Sequence, residues 1–209
     1  MEEVMTNVVA SPLGIPIRDT VVSTWITMAI IIAVVWILRK TMPTALEMLI
    51  EFVRDQAADI IGGTNVDTYV PFLGTLVIFL IFANNIGILP LVGTPTRDLN
   101  VPLALAIVVF FAVHVFGFQR KGLGYLKEQA TPLVILDIVG QLSRTLSLSL
   151  RLFGNIIAGE IIVAVIYRLV QPIAPLPLVV LSLITGVLQG YIFMFLAASA
   201  IGQAVQLDN

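Results

Sequence analysis

The stretch SLSLRLFGNIIAGE, residues 147–160, places Arg151 and Glu160 among leucines, isoleucines and glycines. A fixed charge is costly at membrane depth: insertion scales give about +3 kcal/mol for one Arg, and simulations on the order of 10 or more. The rest of the chain makes membrane depth the setting. Of 209 residues, 58% are hydrophobic and 11% charged, with a mean hydropathy of +1.03, whereas an ordinary soluble domain carries roughly 25% charged residues. Apolar runs near or above the ~18 residues that cross a bilayer as a helix recur along most of the length. The expected class is an all-α integral membrane protein, with a single membrane domain over residues 1–209.

Around the quoted stretch the helical pattern is almost unbroken from Leu133 to Tyr167. At ~1.5 Å per residue this run is about 50 Å long, beyond a ~30 Å hydrocarbon core, so the helix must tilt steeply or bend. QPIAPLP, residues 171–177, breaks it, and a second long segment covers 178–205. These two are expected to form a long tilted hairpin. Upstream, spans are expected at 20–38, 71–89 and 101–118, with LVGTPTRDLNVP supplying turn chemistry between the second and third. Residues 43–61 differ. Leu46, Leu49, Ile50, Val53, Ala57, Ile60 and Ile61 share one helical face, while Glu47, Glu51, Arg54, Asp55 and Asp59 lie elsewhere. An interfacial amphipathic helix is expected there, with Pro43 in its first turn and Gly62-Gly63 at its end. The total is about five membrane-embedded helices plus one interfacial helix.

Lys and Arg set the expected orientation. Arg39, Lys40 and Arg54 follow the first span, and Arg120, Lys121 and Lys127 follow the third, so both loops are expected in the cytoplasm. The N-terminus and the TPTRD loop then lie outside and, with five crossings, the C-terminus inside. The first 19 residues, MEEVMTNVVASPLGIPIRD, carry acids where a secretory signal carries Lys or Arg, so removal of the first helix is not expected. The chain has no cysteine, which excludes disulfides and thiolate metal sites. GxxxxGK[ST] and HExxH are absent, as is a basic nucleic-acid patch, so no catalysis, cofactor, metal or nucleic-acid partner is expected.

Taking 100° per residue, Arg144 lies about 20° from Arg151, Asn155 and Ser147 about 40° to either side, and Asp137 about 40° away two heptads earlier. They form one polar stripe. Glu160 lies about 180° around and roughly 13 Å further along, so it cannot pair with Arg151 within the helix. No acid stands three or four residues from Arg151, so a partner outside this helix is implied. Arg keeps its charge under any plausible burial and suits an electrostatic barrier; a carboxyl such as Glu160 can change charge and suits a relay. On the last helix Ser182, Thr185 and Gln189 recur at helical spacing, and Gly186 with Gly190 forms a small-xxx-small pair, a packing device first of all. Asn84 and Asn85 either line an outer aqueous entrance, together with Asp98 and Asn100 of the following loop, or bond between helices. Asp137 and Arg144 are either a structural pair or part of a wet groove. His114 is read as a packed or interfacial residue, with a proton relay as the alternative.

SLSLRLFGNIIAGE resembles the signature segment of subunit a of the F-type ATP synthase, and LQGYIFMFLAASAIGQA, residues 188–204, resembles that family's final helix. IFANNIGILP and TRDLNVPLALA are similar to its second-span and loop pattern. The resemblance implies a static, non-catalytic membrane subunit beside the c-ring, with peripheral stalk b subunits and membrane lipid as its other partners, in a bacterial plasma (inner) membrane. It implies that Arg151 faces the carboxylate of each passing c-subunit and separates two offset half-channels. Asn155 and Gln189 would support that region, Glu160 would line the outer half-channel, and Asp137 with Arg144 would sit toward the cytoplasm. Many members pair the Glu160 position with an ionisable residue on the last helix, where this chain has Ser182. The expected ion is a proton; a sodium-translocating version, a carrier for an anionic substrate and an assembly scaffold are the competing expectations.

Overall fold

A computed structural model describes residues 8–10, 17–62, 66–88, 93–122, 134–169 and 176–205; for 8–10, 17, 18, 134–138, 141, 142 and 145 the description is of the backbone. Among the described residues, six helices follow a short antiparallel pair, β1 (Val8–Ala10) and β2 (Ile17–Arg18), in which Val8 faces Arg18 and Ala10 faces Ile17. The helices are α1 (Asp19–Thr41), α2 (Pro43–Ile61), α3 (Val70–Asn85), α4 (Asn100–Lys121), α5 (Val134–Leu169) and α6 (Leu176–Val205). Single 3-10 turns at Val66–Thr68, Ile86–Ile88 and Pro95–Arg97 flank α3 and precede α4. Leu89, Leu133, Lys127 and residues 171–175 of the QPIAPLP break lie outside the described residues.

Among the described residues, five stretches are long and apolar enough to cross a membrane: Asp19–Thr41, Val70–Ile88, Asn100–Lys121, Leu146–Leu169 and Leu176–Val205. α5, at 36 residues, is about 54 Å long. Only part of it fits a hydrocarbon core measured along the normal.

Packing follows from where side chains are small. α6 makes its most extensive contact with α3. A Cβ on Gly190 would lie 3.0 Å from Ile81 Cγ1 and 3.3 Å from Ile81 N, and one on Gly186 2.8 Å from Asn85 Oδ1. Only glycine lets the two backbones approach so closely. Around this seam Leu73, Leu80, Ala106, Leu152, Phe193, Ala198 and Ile201 are fully buried.

α2 lies lengthwise along the second half of α6. Tyr191 Oη donates to Gln56 Oε1 at 2.5 Å, and a Cβ on Gly202 would stand 3.2 Å from Ile61 Cα, so both numberings rise together along the contact. Pro43 occupies the first turn of α2, and Gly62, at φ +68°, ends it by donating its N–H to Ala58 O. Val53, Ala57 and Ile61 are buried, whereas Ile50 is exposed. Ile50 is turned about 60° from Val53, and the face that meets α6 is narrower than the apolar face of the sequence.

α1 is arranged the other way about. Its buried residues are Thr20, Ser23 and Thr27, at i, i+3 and i+7 on one face. Trp25, Met28, Ile32 and Trp36 are exposed, as befits a helix whose solvent on that side is lipid. Lys40 Nζ lies 3.9 Å from the centre of the Trp36 ring, an arrangement suited to a membrane interface.

Candidate functional site

The polar residues fall into two groups, one open and one closed. The open group lies on α5. Arg151 is exposed and helps line a hollow of about 670 Å3 with Val139, Ser143, Leu146, Ser147 and Leu150. All six residues come from α5, at helical spacings that put them on one face. Among the described residues, neither Arg151 nor Glu160 has a hydrogen bond or ion pair. Seven positions before Arg151, the exposed Arg144 donates from Nη1 to Gln203 Oε1 on α6 at 2.9 Å. Gln203 in turn donates to Ser199 Oγ at 3.4 Å. Asp137 is in the first turn of α5, and its side chain lies outside the described residues.

On the side of α5 that meets α6, Asn155 Nδ2 lies 3.5 Å from Gln189 Oε1, a long hydrogen bond. Gln189 is 3% exposed. Glu160 is half-buried, and next to it Gly159 makes room for Ser182: a Cβ there would be 3.2 Å from Ser182 Oγ. Thr185 turns its hydroxyl back onto Leu181 O at 2.7 Å.

The closed group gathers at the far end of α3. Asn84, 8% exposed, donates from Nδ2 to Gly186 O at 3.0 Å and accepts at Oδ1 from Thr96 Oγ1 at 3.0 Å. Asn85 donates to Ile81 O at 2.7 Å, within its own helix. Asp98, 7% exposed, accepts at Oδ2 from Thr20 Oγ1 at 3.3 Å. Its Oδ1 accepts from the Asn100 backbone N–H at 3.1 Å and from Asn100 Nδ2 at 2.9 Å, just ahead of α4. Beside it, Arg97 forms an ion pair with Asp19 at the start of α1. The two groups touch where α4 begins: Ser149 Oγ, two residues before Arg151, donates to Pro102 O at 3.3 Å.

Asn84, Asp98 and Asn100 therefore come together, as do Asn155 with Gln189 and Arg144 with Gln203. Arg151 and Glu160 each stand apart. Thr20, Thr96, Arg97 and Asp19 are additions that the sequence did not single out. Only the hydroxyl spacing of Thr20, Ser23 and Thr27 in an otherwise apolar helix was there to be noticed. His114 points its Nδ1 to Phe110 O at 2.8 Å and packs on the Phe110 ring.

Among the described residues, five long apolar helices, a largely buried polar cluster between them and a polar face left open on one helix define a multi-pass membrane protein. Residues 21–201 match the family model described as ATP synthase A chain, and the chain belongs to that family. It is 41% identical over 202 residues to ATP synthase subunit a 2 of Bradyrhizobium sp. strain BTAi1, covering 91% of this chain and 90% of the relative. It is 36% identical over 206 residues to ATP synthase subunit a 2 of Acaryochloris marina, covering 92% and 88%. Against ATP synthase subunit a 1 of Hahella chejuensis it is 37% identical over 199 residues, covering 91% and 85%.

Proposed function

We propose that this chain, as one membrane domain, is the ion-translocating stator subunit of an F-type ATP synthase and carries two offset half-channels to a c-ring, separated by Arg151. One observation carries the proposal: Arg151 is exposed on an open face of α5 and has no acceptor among the described residues. A charge so placed in an apolar stretch needs an anion from another chain. A carboxylate borne by each c-subunit supplies it, then passes on as the ring turns.

In this scheme an ion, read as a proton, enters past Asn84, Asn85, Asp98 and Asn100 from outside, reaches the ring near Glu160, Ser182, Asn155 and Gln189, and neutralises a c-subunit carboxylate. The neutral site can rotate through lipid at small cost, whereas the ionised one cannot. After nearly a full turn the ion leaves on the side of Asp137 and Arg144. Arg151 keeps its charge throughout and bars a direct passage between the two paths. A transmembrane potential, worth about 2.3 kcal/mol per charge per 100 mV, drives the direction of turning. Support for the orientation comes from Arg39, Lys40, Arg54, Arg120, Lys121 and Lys127, which place their loops in the cytoplasm by the positive-inside rule. The N-terminus is then outside a bacterial plasma membrane and the C-terminus inside. Stalk b subunits and lipid cover the remaining apolar surface.

Arg151→Ala in membranes holding the full complex is the test. ATP-driven ion pumping should vanish while the subunit still assembles; normal coupled pumping would remove Arg151 from the mechanism.

A further inference from the structure

Residues 93–99 connect the turn after α3 to α4, and connections of this kind ordinarily run over the surface, where water satisfies the backbone. This one is buried. Thr94, Thr96 and Asp98 are 5%, 0% and 7% exposed, and the Pro95–Arg97 turn packs against α1, α3, α4 and α5. A glycine admits it: a Cβ on Gly87 would stand 2.2 Å from Thr94 Oγ1. The exit of the loop into α4 meets α5 two residues from Arg151, through Ser149 and Pro102.

Thr96 is the fully enclosed polar side chain of this segment. Its hydroxyl donates to Asn84 Oδ1 while the Asn84 amide hydrogen is taken by Gly186 O. Asn84 is thus held at both ends, between the loop and α6. A buried amide oxygen deprived of its donor is costly to leave unsatisfied, so without Thr96 the amide has reason to turn.

We propose that Thr96 is a positioning residue of the outer ion path, fixing the Asn84 amide in the orientation the path uses. The proposal rests on the assignment of Asn84 to the outer half-channel. Two substitutions separate hydroxyl from shape: Thr96→Val keeps the shape and removes the donor, and Thr96→Ser keeps the donor and removes a methyl. Passive ion flow, measured per assembled complex after the ATPase sector is stripped from the membranes, should fall about three- to tenfold in Thr96→Val, the scale of one hydrogen bond. Thr96→Ser should keep the parental rate. A parental rate in Thr96→Val, or an equal fall in Thr96→Ser, overturns the proposal. Asn84→Leu, measured alongside, should also slow the flow, and adding Thr96→Val to it should lower the rate no further. An additional loss in the double variant overturns the positioning role. Undiminished flow in Asn84→Leu takes Asn84 out of the path and the proposal with it, whereas slow Asn84→Leu beside a parental Thr96→Val removes Thr96 alone.

Discussion

Two arginines of this chain live in opposite circumstances. Arg97 sits in the buried loop with its side chain 11% exposed and forms an ion pair with Asp19. Arg151 stands exposed on α5 and meets no acceptor among the described residues. A buried charge whose counter-charge is in the same chain belongs to the fold, because removing either one withdraws compensation from the other. An exposed charge with no partner in its own chain contributes little to holding that chain together. Residue type alone therefore does not mark a functional charge in a membrane protein; the location of the partner does.

That contrast can be broken by experiment, and the largest effect belongs to Arg151. Arg151→Gln should abolish pumping in the complex, yet change the thermal stability of the lone detergent-solubilised subunit by no more than about 0.5 kcal/mol, the range of a surface substitution. A loss of several kcal/mol would mean that Arg151 has a partner within its own chain. Asp19→Asn should do the reverse. It withdraws a carboxylate from a largely buried guanidinium and should cost about 3 kcal/mol of stability, with pumping per assembled complex retained. Loss of pumping at unchanged stability would place Arg97 beside Arg151.

The backbone repeats the contrast between closed and open surfaces. A Cβ on Gly190 meets Ile81 N at 3.3 Å, and backbone cannot swing aside as a side chain can. Gly190→Ala should therefore cost about 1–3 kcal/mol in thermal unfolding of the subunit. Gly154, on α5 beside Asn155, has nothing within 4 Å of its Cβ position. Gly154→Ala should leave the lone subunit at least as stable, since alanine is the better helix former. Equal losses at the two positions would show that α5 is packed within the chain as closely as α6.

The all-α membrane class was legible because hydropathy and helix length are local properties of the chain. Arg151 stood out for the same reason, as a lone cation in an apolar run. The closed cluster was harder to see. Thr20 meets Asp98 across 78 positions, and that contact exists only because the 93–99 connection folds inward. Threonine carries no long-range signal of its own, since in an apolar helix its hydroxyl can turn back to the carbonyl four residues earlier. Thr24, Thr27, Thr75 and Thr185 all do so. The expected hairpin gave α6 one neighbour, α5, but did not show that α6 packs most extensively on α3. Gly186 and Gly190 announce that some backbone comes close, but nothing in their spacing names α3. The exposed Ile50 has the same origin, because an apolar stripe records what avoids water and not which part of it a neighbouring helix will cover.

The smallest expected effect falls on Arg144, which stands between the two cases. It is exposed, as Arg151 is, yet it has a partner in its own chain, the neutral carbonyl oxygen of Gln203 at 2.9 Å. Exposed side-chain contacts of this kind contribute about 0–1 kcal/mol, since water competes for both groups and the long side chains lose freedom. Gln203→Leu should therefore lower the stability of the subunit by less than about 1 kcal/mol, and a double-mutant cycle with Arg144→Ala should give a coupling of the same size. A coupling well above that would put Arg144 with Arg97, as a charge held by the fold. A coupling near zero, with Arg144→Ala still slowing ATP-driven pumping, would put it with Arg151, as a charge whose effective partner passes by on another chain.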